Sequence, residues 1–120
     1  MGIRRTLVTL CFSLLMAPWM TASAEKSYDV LELPAVPSEL AARSLIFAIH
    51  KYPDRFYAVG HRGHILLSDD GENWIQAEVP VRSTLLDIHF PTPELGWAVG
   101  HEGVILHSTD GGKTWTKQYD

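Results

Sequence analysis

The sequence has 120 residues, of which 46% are hydrophobic, 10% are aromatic and 20% are charged. This length supports one small folded unit, and the supply of apolar and aromatic residues excludes a disordered chain. The formal charge of −4 argues against nucleic-acid binding, and the single cysteine, Cys11, excludes an intramolecular disulfide or a multi-cysteine metal site.

The first 24 residues have the pattern of an export signal. Arg4-Arg5 is a short basic start, and residues 6–16 form an apolar run that is too short to span a membrane comfortably. The small residues of Ala22-Ser23-Ala24 then predict cleavage before Glu25. We therefore expect residues 1–24 to be a signal peptide. The mature chain is expected to be exported to the periplasm or an equivalent space, without stable membrane insertion.

Residues 25–44 lie between this signal and the remainder of the chain. Residues 28–33 alternate polar and apolar side chains, which is typical of a half-buried strand. Pro34 and Pro37 follow closely, and proline-rich segments are stiff. We therefore expect an N-terminal extended segment that continues into a linker.

The rest of the sequence is a repeat with a period of about 40 residues. Residues 58–65 (AVGHRGHI) return at 98–105 (AVGHEGVI), and residues 68–71 (SDDG) return at 108–111 (STDG). Trp74 returns as Trp115, one position later than the other pairs, because the second copy has an extra residue in the preceding turn. Length changes confined to turns indicate strands of fixed length joined by adjustable loops.

Each copy predicts four short strands, with hairpin turns at 61–63 and 101–103. The predicted strands are 45–50, 56–60, 64–68 and 74–79, then 85–90, 96–100, 104–108 and 115–119. Four strands per 40 residues are typical of a β-propeller blade. We therefore predict an all-β fold of four-stranded antiparallel blades, with blade 1 at 45–83 and blade 2 at 84–120.

A propeller needs about four to eight blades to close, so two blades predict a piece of a longer propeller. A self-associating half-ring and a two-blade sandwich are the alternatives.

A turn motif recurs at the end of the third strand. Residues 108–115 (STDGGKTW) resemble an Asp-box, the repeat of bacterial neuraminidases and related propellers, and residues 68–74 resemble it with one deletion. Each aspartate is expected to accept hydrogen bonds from the amides that follow it, beneath a tryptophan cover. The residues expected to build these structural turns are Ser68, Asp70, Gly71, Trp74, Ser108, Asp110, Gly111, Gly112, Thr114 and Trp115.

The residues on either side of the Asp-box indicate a particular family of Asp-box proteins. Residues 96–100 (GWAVG), a hairpin, Ile-Leu-x-Ser and the box together resemble the photosystem II stability/assembly factor-like family of Asp-box (BNR) β-propellers. This chain resembles the two N-terminal blades of such a protein. The resemblance implies an exported seven-bladed propeller that binds a protein, in photosynthetic organisms a reaction-centre subunit of photosystem II in the thylakoid lumen. Similar proteins occur in bacteria without a photosystem, so neither the source nor the partner follows.

The histidines raise the question of a metal site. His61 and His64 flank the first hairpin turn, and His101 repeats His61. However, Val104 replaces His64 in the second copy, and no carboxylate recurs at ligand spacing. We therefore expect these histidines to be polar residues of the turns. We expect the chain to bind no metal and no cofactor.

Function is expected to depend on protein binding. The two hairpin turns display His61, Arg62, His101 and Glu102 at equivalent points, and loops on a rigid β scaffold are common binding sites. Four arginines are expected on a solvated surface, and a protein-binding patch is the alternative because arginine is enriched at interfaces; they are Arg43, Arg55, Arg62 and Arg82. The alternative is a sialidase-like Asp-box glycoside hydrolase. It is disfavoured because no pair of acids stands out and no Phe/Tyr-Arg-Ile-Pro sequence is present. We therefore expect no catalytic residue.

Overall fold

The computed structural model describes residues 29–118, so the predicted signal peptide, its cleavage site and the last two residues lie outside the described range. Two sheets of four strands account for the regular structure, each in sequential order. The strands are β1 (Ile46–Tyr52), β2 (Arg55–Gly60), β3 (Ile65–Ser68), β4 (Ile75–Gln76), β5 (Leu85–His89), β6 (Gly96–Gly100), β7 (Ile105–Ser108) and β8 (Thr116–Lys117). Within residues 29–118 the only helical elements are three single 3-10 turns, and no helix could cross a membrane.

The two sheets repeat each other residue by residue. In the first sheet Tyr57 pairs with Leu67 and Val59 with Ile65. In the second, Trp97 pairs with His107 and Val99 with Ile105, which is the same register 40 positions later. All pairs within both sheets are antiparallel. The predicted all-β class with four-stranded antiparallel sheets is therefore confirmed.

Each hairpin turn has two residues with positive φ, whereas the sequence suggested only one glycine in each turn. Gly63 and Gly103 have φ of 73° and 70°, but Arg62 and Glu102 before them are also left-handed, with φ of 59° and 56°. Two consecutive left-handed residues make a type I′ turn, whose twist matches that of the flanking strands. The hairpin therefore imposes backbone strain on Arg62 and Glu102.

The main core lies between the sheets. The first sheet contributes its back face, defined here as Tyr57, Val59, Ile65 and Leu67. The second sheet contributes its front face, defined as Leu85, Ile88, Ala98 and Leu106. The connector of residues 77–82 fills the outer side of this core with Ala77, Val79 and Val81. At the centre, Phe90 stacks on Tyr57 with ring centroids 4.1 Å apart and planes inclined by 13°.

The N-terminal segment begins with a turn rather than the expected strand, and the expected linker is hydrogen-bonded to the connector. Residues 30–33 form a turn in which Asp29 Oδ1 accepts from the Leu31 amide at 2.9 Å. The segment then runs along the connector, where Ala35 N donates to Val79 O at 2.9 Å and Arg82 N donates to Val30 O at 2.7 Å. The connector carries backbone groups that its own sheet leaves unpaired, and the segment pairs with them.

Candidate functional site

The second Asp-box is a turn closed around one carboxylate. Asp110 Oδ1 accepts from the amides of Lys113 and Thr114, both at 3.0 Å, and from the Ser108 hydroxyl at 2.8 Å. Asp110 Oδ2 accepts from the Thr114 hydroxyl at 2.6 Å. Ser108 Oγ in turn accepts from the Gly112 amide at 2.9 Å. Serine and aspartate together therefore accept hydrogen bonds from the amides of Gly112, Lys113 and Thr114.

The first Asp-box reaches the same arrangement with one residue fewer. Asp70 Oδ1 accepts from the amides of Glu72 and Asn73 at 2.9 and 2.8 Å and from the Ser68 hydroxyl at 3.0 Å. Asn73 Nδ2 donates to Asp70 Oδ2 at 2.7 Å, where the second turn uses a threonine hydroxyl. Ser68 Oγ accepts from the Gly71 amide at 2.8 Å. Asn73 is the member of this network that the sequence did not single out.

These contacts keep both carboxyl groups ionised. At Asp110 burial raises the pKa, but hydrogen bonds from Thr114, Ser108 and the Lys113 amide outweigh it and lower the pKa to about 2. At Asp70 the amide and side chain of Asn73 lead the hydrogen bonds that lower the pKa well below its usual range. A carboxyl group of such low pKa is a poor general acid at neutral pH.

The second Asp-box also joins the two sheets. The Gly111 carbonyl accepts from the Tyr57 hydroxyl at 2.6 Å and from Arg55 Nη1 at 3.2 Å, across the interface. The Trp115 amide donates to Glu78 O at 3.1 Å. Sequence analysis missed the roles of Arg55 and Tyr57. Their repeat partners are Leu95 and Trp97, so the repeat carried no signal for them.

The two tryptophans of the boxes are not equivalent. Trp115 is 4% exposed, and its Nε1 donates to Gly112 O at 2.9 Å, so it closes its turn from inside the core. Trp74 is half-buried on the first sheet, where its ring meets the edge of Phe56 at 6.5 Å. The difference follows from the neighbours, because only the second turn packs against another sheet.

Three of the four predicted partner-binding residues share one cavity. We call it the rim cavity; it measures about 510 Å³ and opens where the hairpin turns meet the N-terminal segment. His61, Arg62 and Glu102 line it, but His101 does not. Its remaining lining residues are Val30, Val36, Pro37, Ser38, His64, Arg82, Ser83 and Thr84.

The charged residues that line the rim cavity are two arginines and one glutamate. Arg82 is held in place by Nε, which donates to Pro34 O at 2.8 Å, and Arg62 is exposed on its left-handed turn position. The acidic member, Glu102, accepts a hydrogen bond from the Ser83 hydroxyl. Burial lowers the pKa of His64, and the nearby charges of Arg62 and His61 lower it further. The cavity therefore has one more arginine than carboxylate among its lining residues.

The arginine patch that was the alternative to a solvated surface is split. Arg62 and Arg82 share the rim cavity, while Arg55 donates through Nε to Asp69 at 2.8 Å on another part of the surface. Arg43 is exposed and does not line the cavity. A single patch of four arginines is therefore wrong, because Arg55 begins β2 whereas Arg62 lies in the turn beyond its other end. Among residues 29–118, no three His, Cys, Asp or Glu side chains are grouped as a metal site would need.

The sheets have the topology and the Asp-box turns of β-propeller blades. Residues 68–119 match the family described as Photosynthesis system II assembly factor YCF48. This match spans the first Asp-box and the second sheet, and it confirms the family resemblance read from the sequence. No curated protein matches the chain.

Proposed function

We propose that this protein is an exported, non-catalytic scaffold that binds a protein partner at the rim cavity. The observation that carries the proposal is the convergence of Arg62, Arg82, His61 and Glu102 around one opening of about 510 Å³. A groove lined by two arginines and one carboxylate favours a polypeptide segment with acidic side chains.

Two features support a binding role without turnover. Both Asp-box carboxylates are engaged by turn amides and hydroxyls. The acid of the rim cavity, Glu102, accepts a hydrogen bond from Ser83 and is the one carboxylate among the residues that line the cavity. Two-carboxylate hydrolysis needs a pair of acids across one cleft.

The family description suggests the kind of partner. Its members are described as assembly factors of photosystem II, a membrane complex. We propose that the chain, exported by its N-terminal signal, captures a subunit of a membrane protein complex from the extracytoplasmic side. Export predicts Glu25 as the first residue of the mature protein, which mass spectrometry of the protein from the periplasm or lumen measures.

The binding proposal is tested by cross-linking in the native cell. A tagged chain is cross-linked in intact membranes, and the captured proteins are identified by mass spectrometry. We expect a membrane-complex subunit, with capture reduced at least about tenfold by Arg62→Glu, since a close charge pair of about 1.5 kcal/mol or more is reversed. Arg43→Glu is the matched control because it makes the same charge change outside the cavity.

Equal loss of capture in both variants would show that only net charge matters and would remove the rim cavity from the proposal. Hydrolysis of a sialoside by the purified chain, abolished by Glu102→Gln, would replace the scaffold with the hydrolase alternative.

A further inference from the structure

Part of the N-terminal segment lies along the outer edge of the first sheet. We call residues 30–38 the strap. Ser38 N donates to Gln76 Oε1, and Gln76 Nε2 donates to Val36 O, both at 2.9 Å. Gln76 belongs to the outermost strand β4, and its side chain satisfies backbone groups of the strap as a neighbouring strand would. One side chain therefore fixes one end of the strap through two hydrogen bonds.

The second sheet holds the other end of the strap from the matching position. Lys117 belongs to the outermost strand β8, and its Nζ donates to Leu31 O at 2.7 Å. Lys117 pairs with Leu106 as Gln76 pairs with Leu66, and these two leucines are 40 positions apart. The strap is therefore docked at equivalent points on the outer strands of the two sheets.

Between its two ends the strap holds Arg82 of the connector by both backbone and side chain. Arg82 N donates to Val30 O at 2.7 Å, and Arg82 Nε donates to Pro34 O at 2.8 Å. Arg82 lines the rim cavity, and so do Val36 and Pro37 of the strap. An arginine that is already ordered loses less side-chain entropy when it binds a ligand. The strap therefore supplies one wall of the cavity and orders one of its cations.

The contact with the strap also determines which end of the Arg82 guanidinium is presented to a ligand. The hydrogen bonds of Arg82 to the described residues use its backbone N and its Nε. Nη1 and Nη2 remain, and paired N–H groups of a guanidinium bind a carboxylate through two parallel hydrogen bonds. Arg62, the other arginine of the cavity, is exposed on the first hairpin turn. Arg82 is therefore the cation that the strap orders for carboxylate binding.

We propose that the strap is a part of the binding site that fixes Arg82 in the orientation in which it binds a carboxylate group of the partner. Gln76 and Lys117 are positioning residues, because they dock the strap and do not line the rim cavity. This role of the strap rests on the proposed function of the rim cavity.

The positioning of Arg82 is tested by heteronuclear NMR, through the exchange of its Nε–H proton with water. A hydrogen bond slows such exchange, so we expect Gln76→Ala to accelerate it at least about threefold. Lys117→Ala releases the other end of the strap and should act in the same direction. Gln118→Ala is the matched control, because the Gln118 side chain accepts from Trp97 Nε1. Circular dichroism checks that all variants are folded.

Binding is measured by titrating the same variants with hexaglutamate, a short acidic peptide. We expect Gln76→Ala and Arg82→Ala each to weaken its binding at least about threefold. The double variant should bind no more weakly than Arg82→Ala alone, because Gln76 acts through Arg82. Gln118→Ala should bind as the wild type does.

Unchanged exchange at Arg82 in both Gln76→Ala and Lys117→Ala overturns the proposal. Additive losses of hexaglutamate binding in the double variant also overturn it, since Gln76 would then act without Arg82. A wild type that does not bind hexaglutamate counts against the proposed function of the rim cavity. In that case the exchange of the Arg82 Nε–H proton still decides whether the strap positions this arginine.

Discussion

Asp110 illustrates how one side chain determines a turn of this protein. Its two oxygens accept four hydrogen bonds, two of them from backbone amides that no strand pairs. Without the carboxylate, these amides lose their acceptor. The cost arises in the native state, because in the unfolded chain the same amides bond to water.

Asp110→Ala is therefore expected to lower the free energy of unfolding by about 1–3 kcal/mol. Urea unfolding followed by tryptophan fluorescence measures it. Asp54→Ala is the control, since Asp54 is an exposed aspartate in the loop between β1 and β2. Equal stabilities of the two variants would show that the Asp-box carboxylate does not organise the turn.

The low pKa of Asp110 predicts how stability responds to acid. The pKa is about 2 in the folded chain against an ordinary value of 3.8. Between these values the unfolded chain binds a proton that the folded chain does not, so stability rises with pH. The contribution is complete above about pH 4 and is lost as the pH falls towards 2.

We expect wild-type stability to fall more steeply between pH 4 and 2 than that of Asp110→Asn, which has no group to protonate there. The urea midpoint measured against pH shows the difference. Some slope should remain in the variant, because the lowered pKa of Asp70 acts in the same direction. Parallel curves would contradict the assignment.

At the scale of the elements, the second Asp-box acts as a clamp between the sheets. Gly112 has a φ of 88°, and a Cβ built on it would lie 2.8 Å from Tyr57 Cε1 and 3.0 Å from Phe90 Cζ. Gly103 has a similar φ of 70°, but nothing lies within 4 Å of the position of its Cβ. Alanine variants at Gly103 and Gly112 therefore separate the cost of backbone strain from the cost of steric overlap with neighbouring side chains.

Gly103→Ala is expected to cost about 1–2 kcal/mol, the price of a left-handed alanine. Gly112→Ala should cost more, by a further 1–3 kcal/mol or so, because the added methyl overpacks the contact with Tyr57 and Phe90. Thermal and urea unfolding of both variants measure the difference. Equal losses of stability in the two variants would show that the turn accommodates the added methyl group without disturbing the contact between the sheets.

At the scale of the whole molecule, the two sheets share one core rather than having a core each. Leu85, which belongs to the second sheet, is 0% exposed and lies in the same cluster as Val59 and Ile65 of the first. Sheets stabilised by a shared face lose their support together, so the described part of the chain should unfold in a single transition.

Leu85→Ala is expected to cost about 2–5 kcal/mol and to lower the protection of amides in both sheets alike. Hydrogen exchange read separately at β3 and β7 provides the measurement. Ile75→Ala, on an exposed outer-strand residue, is the control. Loss of protection confined to the second sheet would mean that the sheets are independent units.

The sequence by itself determined the strands, the turns and the roles inside each Asp-box, except that of Asn73. These features rest on local chemistry: the period of 40, the glycines with positive φ, and an aspartate within reach of the next amides. The same local reasoning gave the wrong structure for residues 29–33, because their alternation suited a strand while the Asp29 side chain closed a turn.

Only the tertiary structure decided what lies between the sheets and around the hairpins. Arg55 and Tyr57 contact the carbonyl of Gly111, more than 50 positions away, and neither residue has a repeat partner of the same type. Likewise Arg82 joins Arg62 at the rim cavity, while Arg43 and Arg55 do not. The physical reason is that the repeated sequence specifies each sheet separately. The contact between the sheets depends instead on how the back face of the first sheet meets the front face of the second.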